Sequence, residues 1–83
     1  MKIVVTNRAH RQLKKLEGSI RKRLKLKLEW YLQQEDPLIF ADKLTDADLG
    51  RLRYRVGDYR IIFDIDGDKL IIYQVGHRKD VYE

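Results

Sequence analysis

Two alternating runs joined by a tight turn leave this chain few ways to fold. Leu52, Tyr54 and Val56 alternate with Arg51, Arg53 and Arg55; beyond Gly57-Asp58, residues Tyr59, Ile61, Phe63 and Ile65 alternate with Arg60, Ile62 and Asp64. Successive side chains of a strand point to opposite faces. The pattern therefore predicts strands over Leu49–Val56 and Tyr59–Ile65, with an apolar face on one side and arginines on the other. Asp66-Gly67 is a short-hairpin signal. Lys69–Val75, rich in Leu, Ile, Tyr and Val, reads as the next strand.

The apolar face needs a cover, and the first half of the chain supplies one. Ile3-Val4-Val5 is β-branched and predicts a short opening strand. Thr6-Asn7 offers capping side chains to a helix in which Ala9, Leu13 and Leu16 share a face, while Arg8, Arg11, Lys14 and Lys15 lie elsewhere. Gly18 is expected to end that helix and Ser19 to cap a second one, whose stripe is Ile20, Leu24, Leu28 and Tyr31 and which stops at Asp36-Pro37. Residues 38–48 read as a connecting loop anchored in the core by Leu38, Phe40 and Leu44, and Tyr54, Tyr59 and Tyr73 read as packing residues. The expected fold is α+β, in the order β-α-α-β-β-β. An N-terminal helical hairpin packs on one face of a mostly antiparallel four-stranded sheet, all in a single domain over residues 1–83.

Charge and composition narrow the chemistry. Eighteen Lys and Arg against 13 Asp and Glu give a net charge of +5, which favours an anionic partner. Cysteine is absent, which excludes disulfides, thiolate zinc sites and a thiol nucleophile. His10 has no partner at metal-ligand spacing, so neither a metal nor another cofactor is expected. Met1–Val5 is too short for a secretory h-region or a membrane span, and the expectation is a cytoplasmic protein that does not engage a membrane.

Like charges side by side on a sheet face repel, so Arg51, Arg53 and Arg55 in a row need an explanation. Two readings fit: a face turned towards RNA phosphate, or a solvated face balanced by nearby carboxylates. The tail Val75-Gly-His-Arg-Lys-Asp-Val-Tyr82 follows the last strand. A bend at Gly76 would fold His77, Arg78 and Tyr82 over the arginine face. Cations, an imidazole and a phenol are the parts needed to cleave RNA through its own 2′-OH. Guanidinium groups stabilise charge building on the phosphate, and titratable groups move the two protons. Histidine titrates near neutrality, and tyrosine can serve as a base only when cations depress its pKa. The plainer alternatives are a structural His77 and a Tyr82 ring that plugs the end of the core. Arg21–Lys27 is a basic helical stretch that either touches ribosomal RNA or faces solvent, and Leu26 and Trp30 beside it are candidates for a partner-binding groove.

Gly50-Arg-Leu-Arg-Tyr-Arg-Val-Gly-Asp-Tyr-Arg-Ile-Ile-Phe63 and the Gly-His-Arg-x-x-Val-Tyr ending together resemble the RelE/ParE superfamily of toxins from type II toxin–antitoxin systems, across essentially the whole chain. The resemblance implies a compact, microbial-RNase-like α+β fold and a metal-independent mRNA endoribonuclease that acts in the ribosomal A site and inhibits translation. It implies a cognate antitoxin that blocks the cationic face, the pair binding operator DNA through the antitoxin. By the same resemblance Arg60 contacts the scissile phosphate, Arg78 and Tyr82 complete the catalytic group, and Arg51 and Arg53 bind substrate with Arg55 at the periphery. RelE itself carries lysines in the first basic strand where this chain has arginines, and arginine holds its proton too tightly to act as a base. Two alternatives follow: His77 takes up the acid-base role, or this member is slower. Glu83 follows Tyr82, where some relatives carry a helical extension. The superfamily also contains ParE-like inhibitors of DNA gyrase that cleave nothing, and catalytically weak relatives that bind only an antitoxin.

Overall fold

A computed structural model describes residues 1–45 and 50–81. The elements are β1 (Lys2–Val5), α1 (Asn7–Lys14), α2 (Gly18–Leu32), β2 (Asp42–Lys43), β3 (Leu52–Val56), β4 (Tyr59–Asp66) and β5 (Lys69–His77), with a 3₁₀ turn at Pro37–Phe40. They build a five-stranded sheet in the order β1-β5-β4-β3-β2. The last three strands form the expected antiparallel meander, and β1 adds parallel to β5 with Val5 opposite Ile72.

Side chains near the sheet set where the helices start and sit. The Thr6 hydroxyl accepts from the Ala9 N–H at 3.3 Å and donates to the Ile72 carbonyl at 2.8 Å. One residue thus begins α1 and ties it to β5. Where β1 runs out, Gln12 takes over, its Oε1 accepting from the Val75 N–H at 2.8 Å. At the corner between the helices, Arg21 donates to the Leu13 and Leu16 carbonyls and braces the turn that follows α1.

Several expectations need correction. The cap of α2 is Glu17, with no side-chain bond, and Gly18 opens the helix rather than closing the one before. The stretch read as a loop holds β2, a fifth strand antiparallel to β3. Two residues are too few to show any periodicity, so only pairing with β3 reveals them. Leu38 and Phe40 are not core anchors; they are 39% and 42% exposed, and Phe40 leans on the Trp30 and Tyr31 rings at 5.3 and 5.5 Å. The strand predicted from Leu49 begins at Leu52, and Leu49 lies outside the described residues. Among the described residues no helix is long and apolar enough to cross a membrane.

The main core lies between the helices and the sheet. Leu24, Leu28 and Tyr31 from α2 meet Tyr54, Val56, Ile61, Phe63, Leu70, Ile72 and Val75 from the strands. Its centre is a column of rings: Tyr31 stacks on Tyr54 at 4.2 Å, and Tyr54 on Phe63 at 4.5 Å. The buried phenol of Tyr54 donates to the Pro37 carbonyl at 2.8 Å, and that of Tyr31 to the Arg55 carbonyl at 3.1 Å. A smaller apolar patch lies on the opposite face, where Ile62 and Val81 are buried. Gly50 sits against Ile62 with φ of 111°, and a Cβ there would come within 2.6 Å of the Ile62 Cγ2. The glycine is therefore needed on two counts.

Burial, reinforced by Tyr31 and Asp36, pushes the Tyr54 phenol up from its ordinary 10.0 to about 12. Above pH 10 the unfolded chain ionises this tyrosine while the folded chain keeps it neutral, so the unfolded state gains. Stability to urea is expected to fall as pH rises from 10.0 to about 12. Tyr54→Phe should flatten that fall, at a cost of about 1 kcal/mol at neutral pH from the lost hydrogen bond to Pro37. An equally steep fall in the variant would place the effect elsewhere.

Candidate nucleic-acid interface

Register decides which arginines share a face. Arg53 lies opposite Ile62 and Arg55 directly opposite Arg60, while Leu52, Tyr54 and Val56 pair with Phe63, Ile61 and Tyr59 on the helix side. Arg53, Arg55 and Arg60 therefore stand together on the face away from the helices. Arg51 precedes them at the end of the row, its backbone N–H donating to Asp64 Oδ1 at 2.9 Å. Beside Arg60 on β5 is Gly76, over which the Val81 side chain packs.

The row is partly neutralised from within, by a residue that the sequence did not mark. Asp42 of β2 lies opposite Arg53. Its Oδ2 accepts from Arg53 Nε and Nη2 at 3.2 and 3.1 Å and lies 2.9 Å from Arg55 Nε, while Arg55 Nη2 reaches Oδ1 at 3.3 Å. One carboxylate thus holds two guanidiniums side by side, which offsets their repulsion and fixes their heading. Of the two readings of the row, the structure shows the balancing carboxylate. Asp42 escaped notice because it lies on a strand too short to be seen in the sequence.

Arg60 and Arg78 are anchored at the same place, the Gly57-Asp58 turn between β3 and β4. Arg60 Nη1 donates to the Gly57 and Tyr59 carbonyls at 2.8 and 2.9 Å. The Arg78 N–H donates to the Asp58 carbonyl at 2.7 Å, and its Nε lies 3.8 Å from Asp58 Oδ1. The tail does fold back, but not by a bend at Gly76, which stays within β5. It turns at residues 78–81, with the N–H groups of Asp80 and Val81 both donating to the His77 carbonyl at 2.8 and 3.1 Å. Gly76 serves as the floor under Val81, whose Cγ2 would lie 3.2 Å from a Cβ at that position.

The structure does not bring His77 to the arginines. His77 pairs with Tyr59 across the strands and meets its ring edge-on at 5.5 Å, which places the imidazole on the helix side of the sheet. Its Nδ1 accepts from the Lys79 N–H at 3.1 Å, so a neutral ring carries its proton on Nε2. Tyr82 lies outside the described residues. Beyond the row, an open groove of about 670 Å³ separates α2 from the end of β3; Leu26 and Trp30 line it, among Lys22, Arg23, Lys27 and Arg55. Lys27 Nζ sits 4.3 Å from the centre of the Trp30 ring.

A helical hairpin over one sheet face, with arginines gathered on the other, defines a small α+β protein that presents cations. Residues 3–82 match the family described as ParE toxin of type II toxin-antitoxin system, parDE. The chain belongs to that family, within the RelE/ParE superfamily of type II toxins. Toxin RelE3 of Methanocaldococcus jannaschii is 34% identical over 85 aligned positions, covering 100% of this chain and 97% of that protein. Among solved structures, the RelBE2 toxin–antitoxin complex of Mycobacterium tuberculosis superposes with a TM-score of 0.73 at 26% identity, covering 93% of this chain and 96% of that one. The RelB–RelE antitoxin–toxin complex of Methanococcus jannaschii gives 0.68 at 32% identity, with 95% and 94% covered.

Removing the shared carboxylate takes away the ion pair that the half-buried Arg53 makes with Asp42. Asp42→Ala is expected to lower stability by about 1–2 kcal/mol in urea unfolding, whereas Arg55→Gln, at the exposed arm of the fork, should cost less than about 0.5 kcal/mol. Equal costs for the two would mean that the fork is not centred on Arg53.

Proposed function

We propose that this toxin is a metal-independent mRNA endoribonuclease that acts with the ribosome and inhibits translation. The observation that carries the reading is the gathering of Arg53, Arg55 and Arg60 on one sheet face, with Arg78 held at the adjoining Gly57-Asp58 turn. The ribose 2′-OH attacks the neighbouring phosphorus, forming the P–O2′ bond as the P–O5′ bond breaks. Arg60 and Arg78 stabilise the charge that accumulates on the non-bridging oxygens. Arg51, Arg53 and Arg55 bind phosphates on either side of the scissile one. Tyr82 takes or supplies a proton, since the 2′-OH must lose one and the departing 5′-oxygen must gain one. His77 is a weaker candidate for the same work, because its ring must act from the far side of β5.

The relatives solved as complexes with antitoxins support a cognate antitoxin here. The groove around Leu26 and Trp30, apolar at its base and cationic at its rim, suits an acidic amphipathic helix from such a partner. The antitoxin would carry the pair to operator DNA, and the toxin would work in the cytoplasm. The family description supports a second reading, a ParE-like inhibitor of DNA gyrase that cleaves nothing.

A translation extract separates the two. Primer extension on added mRNA should show new ends at fixed positions within codons, while gyrase supercoiling proceeds normally. Arg60→Ala and Arg78→Ala should each slow cleavage by about a hundredfold and abolish growth inhibition, with circular dichroism unchanged. Intact mRNA together with blocked supercoiling would establish the gyrase reading instead. Intact mRNA with normal supercoiling would point to a relative that only binds its antitoxin.

A further inference from the structure

The register between β4 and β5 slips by one residue. Ile62 pairs with Gln74 but Phe63 pairs with Ile72, leaving Tyr73 as the extra residue of a bulge. In an unbroken strand Tyr73 and Gln74 would point to opposite faces. The bulge instead turns Tyr73 towards the arginine face, where it shares an open cavity of about 580 Å³ with Ile71, Asp64, Arg51 and Lys43. Bulges commonly re-aim a side chain beside a functional site. Here a residue read from sequence as packing is a partly buried ring at the end of the arginine row.

The cavity combines a flat surface, an oriented acceptor and cations. No other aromatic ring among the described residues stacks on Tyr73. Asp64 Oδ1 is held by the Arg51 N–H at 2.9 Å, and Oδ2 has no hydrogen-bond partner among the described residues. Arg51 stands just before β3, two residues from Arg53, a separation of about 6–7 Å if the strand rise continues. A single strand laid along β3 with phosphates at Arg53 and Arg51 places the adjoining base over this cavity.

We propose that the cavity is a nucleobase subsite: the Tyr73 ring stacks on one base next to the cleaved bond, and Asp64 selects bases that carry an exocyclic amine. This rests on the endoribonuclease reading above and deepens it. A carboxylate accepts from the amines of adenine and cytosine, and from the adjacent N1–H and N2–H of guanine. It meets the two carbonyl oxygens of uracil unfavourably. Guanine is therefore bound best and uracil worst. Asp66 also lines the cavity but is exposed, and no hydrogen bond orients it among the described residues, so the choice falls to Asp64.

The test measures fluorescence anisotropy of the purified chain with 2′-O-methylated pentanucleotides of uridine, carrying A, C, G or U at the centre. Methylation blocks cleavage without removing bases or phosphates. The guanine probe is expected to bind about tenfold more tightly than the all-uridine probe. Asp64→Asn, which keeps an acceptor for the Arg51 N–H, should bring the four probes within about twofold of one another, and Asp66→Asn should leave the order unchanged. Tyr73→Leu should weaken all four by about tenfold, and Tyr73→Phe should bind like the parent. Thermal melts check that each variant is folded. If the parent binds the probes and Asp64→Asn and Tyr73→Leu behave like it, the subsite is wrong while the nuclease reading stands. If the parent binds no probe and leaves mRNA intact in the translation extract, both fall together.

Discussion

The column of rings formed by Tyr31, Tyr54 and Phe63 is the contact through which α2 grips the sheet, and the rest of the molecule depends on it. Tyr54 belongs to β3 and Phe63 to β4, so the column sets the rotation of both strands at once. Because strand side chains alternate, burying Tyr54 turns Arg53 and Arg55 to the far face, and burying Phe63 with Ile61 does the same for Arg60. A slip of one residue would drive guanidiniums into the core, at a cost no small domain could bear. The heading of the arginine face is thus dictated from the other side of the sheet.

That face is organised rather than merely basic. Asp42 gathers Arg53 and Arg55 into a fork, while backbone carbonyls at the β3–β4 turn hold Arg60 and the Asp58 carbonyl and carboxylate hold Arg78. Side chains held this way lose less conformational freedom when an anion arrives. Asp42 also means that phosphate approaching Arg53 and Arg55 meets a carboxylate already in place. The two arginines can serve a substrate only by sharing their donors between both.

Much of this was legible in the chain. The meander, the helix stripes and the Thr6 cap follow from short-range spacing, which any segment carries by itself. The membership of Arg53, Arg55 and Arg60 in one face followed too, because alternation and turn position suffice to place it. What escaped was of another kind. β2 is visible only through its partner, the His77 ring lies on the helix side rather than beside the arginines, and Tyr73 sits in a bulge. Each depends on neighbours in space that are not neighbours along the chain.

The order of amino acids was enough to specify an amphipathic sheet, the two helices that cover it and a surplus of arginine on the uncovered side, since hydrophobic period and turn chemistry act over a few residues. Assembly in three dimensions settled the rest. It chose which carboxylate would pair with which guanidinium, turned the His77 imidazole to the helix side and bulged Tyr73 towards the cations. Those outcomes depend on strand register and on contacts between segments far apart in the chain, which no local pattern encodes.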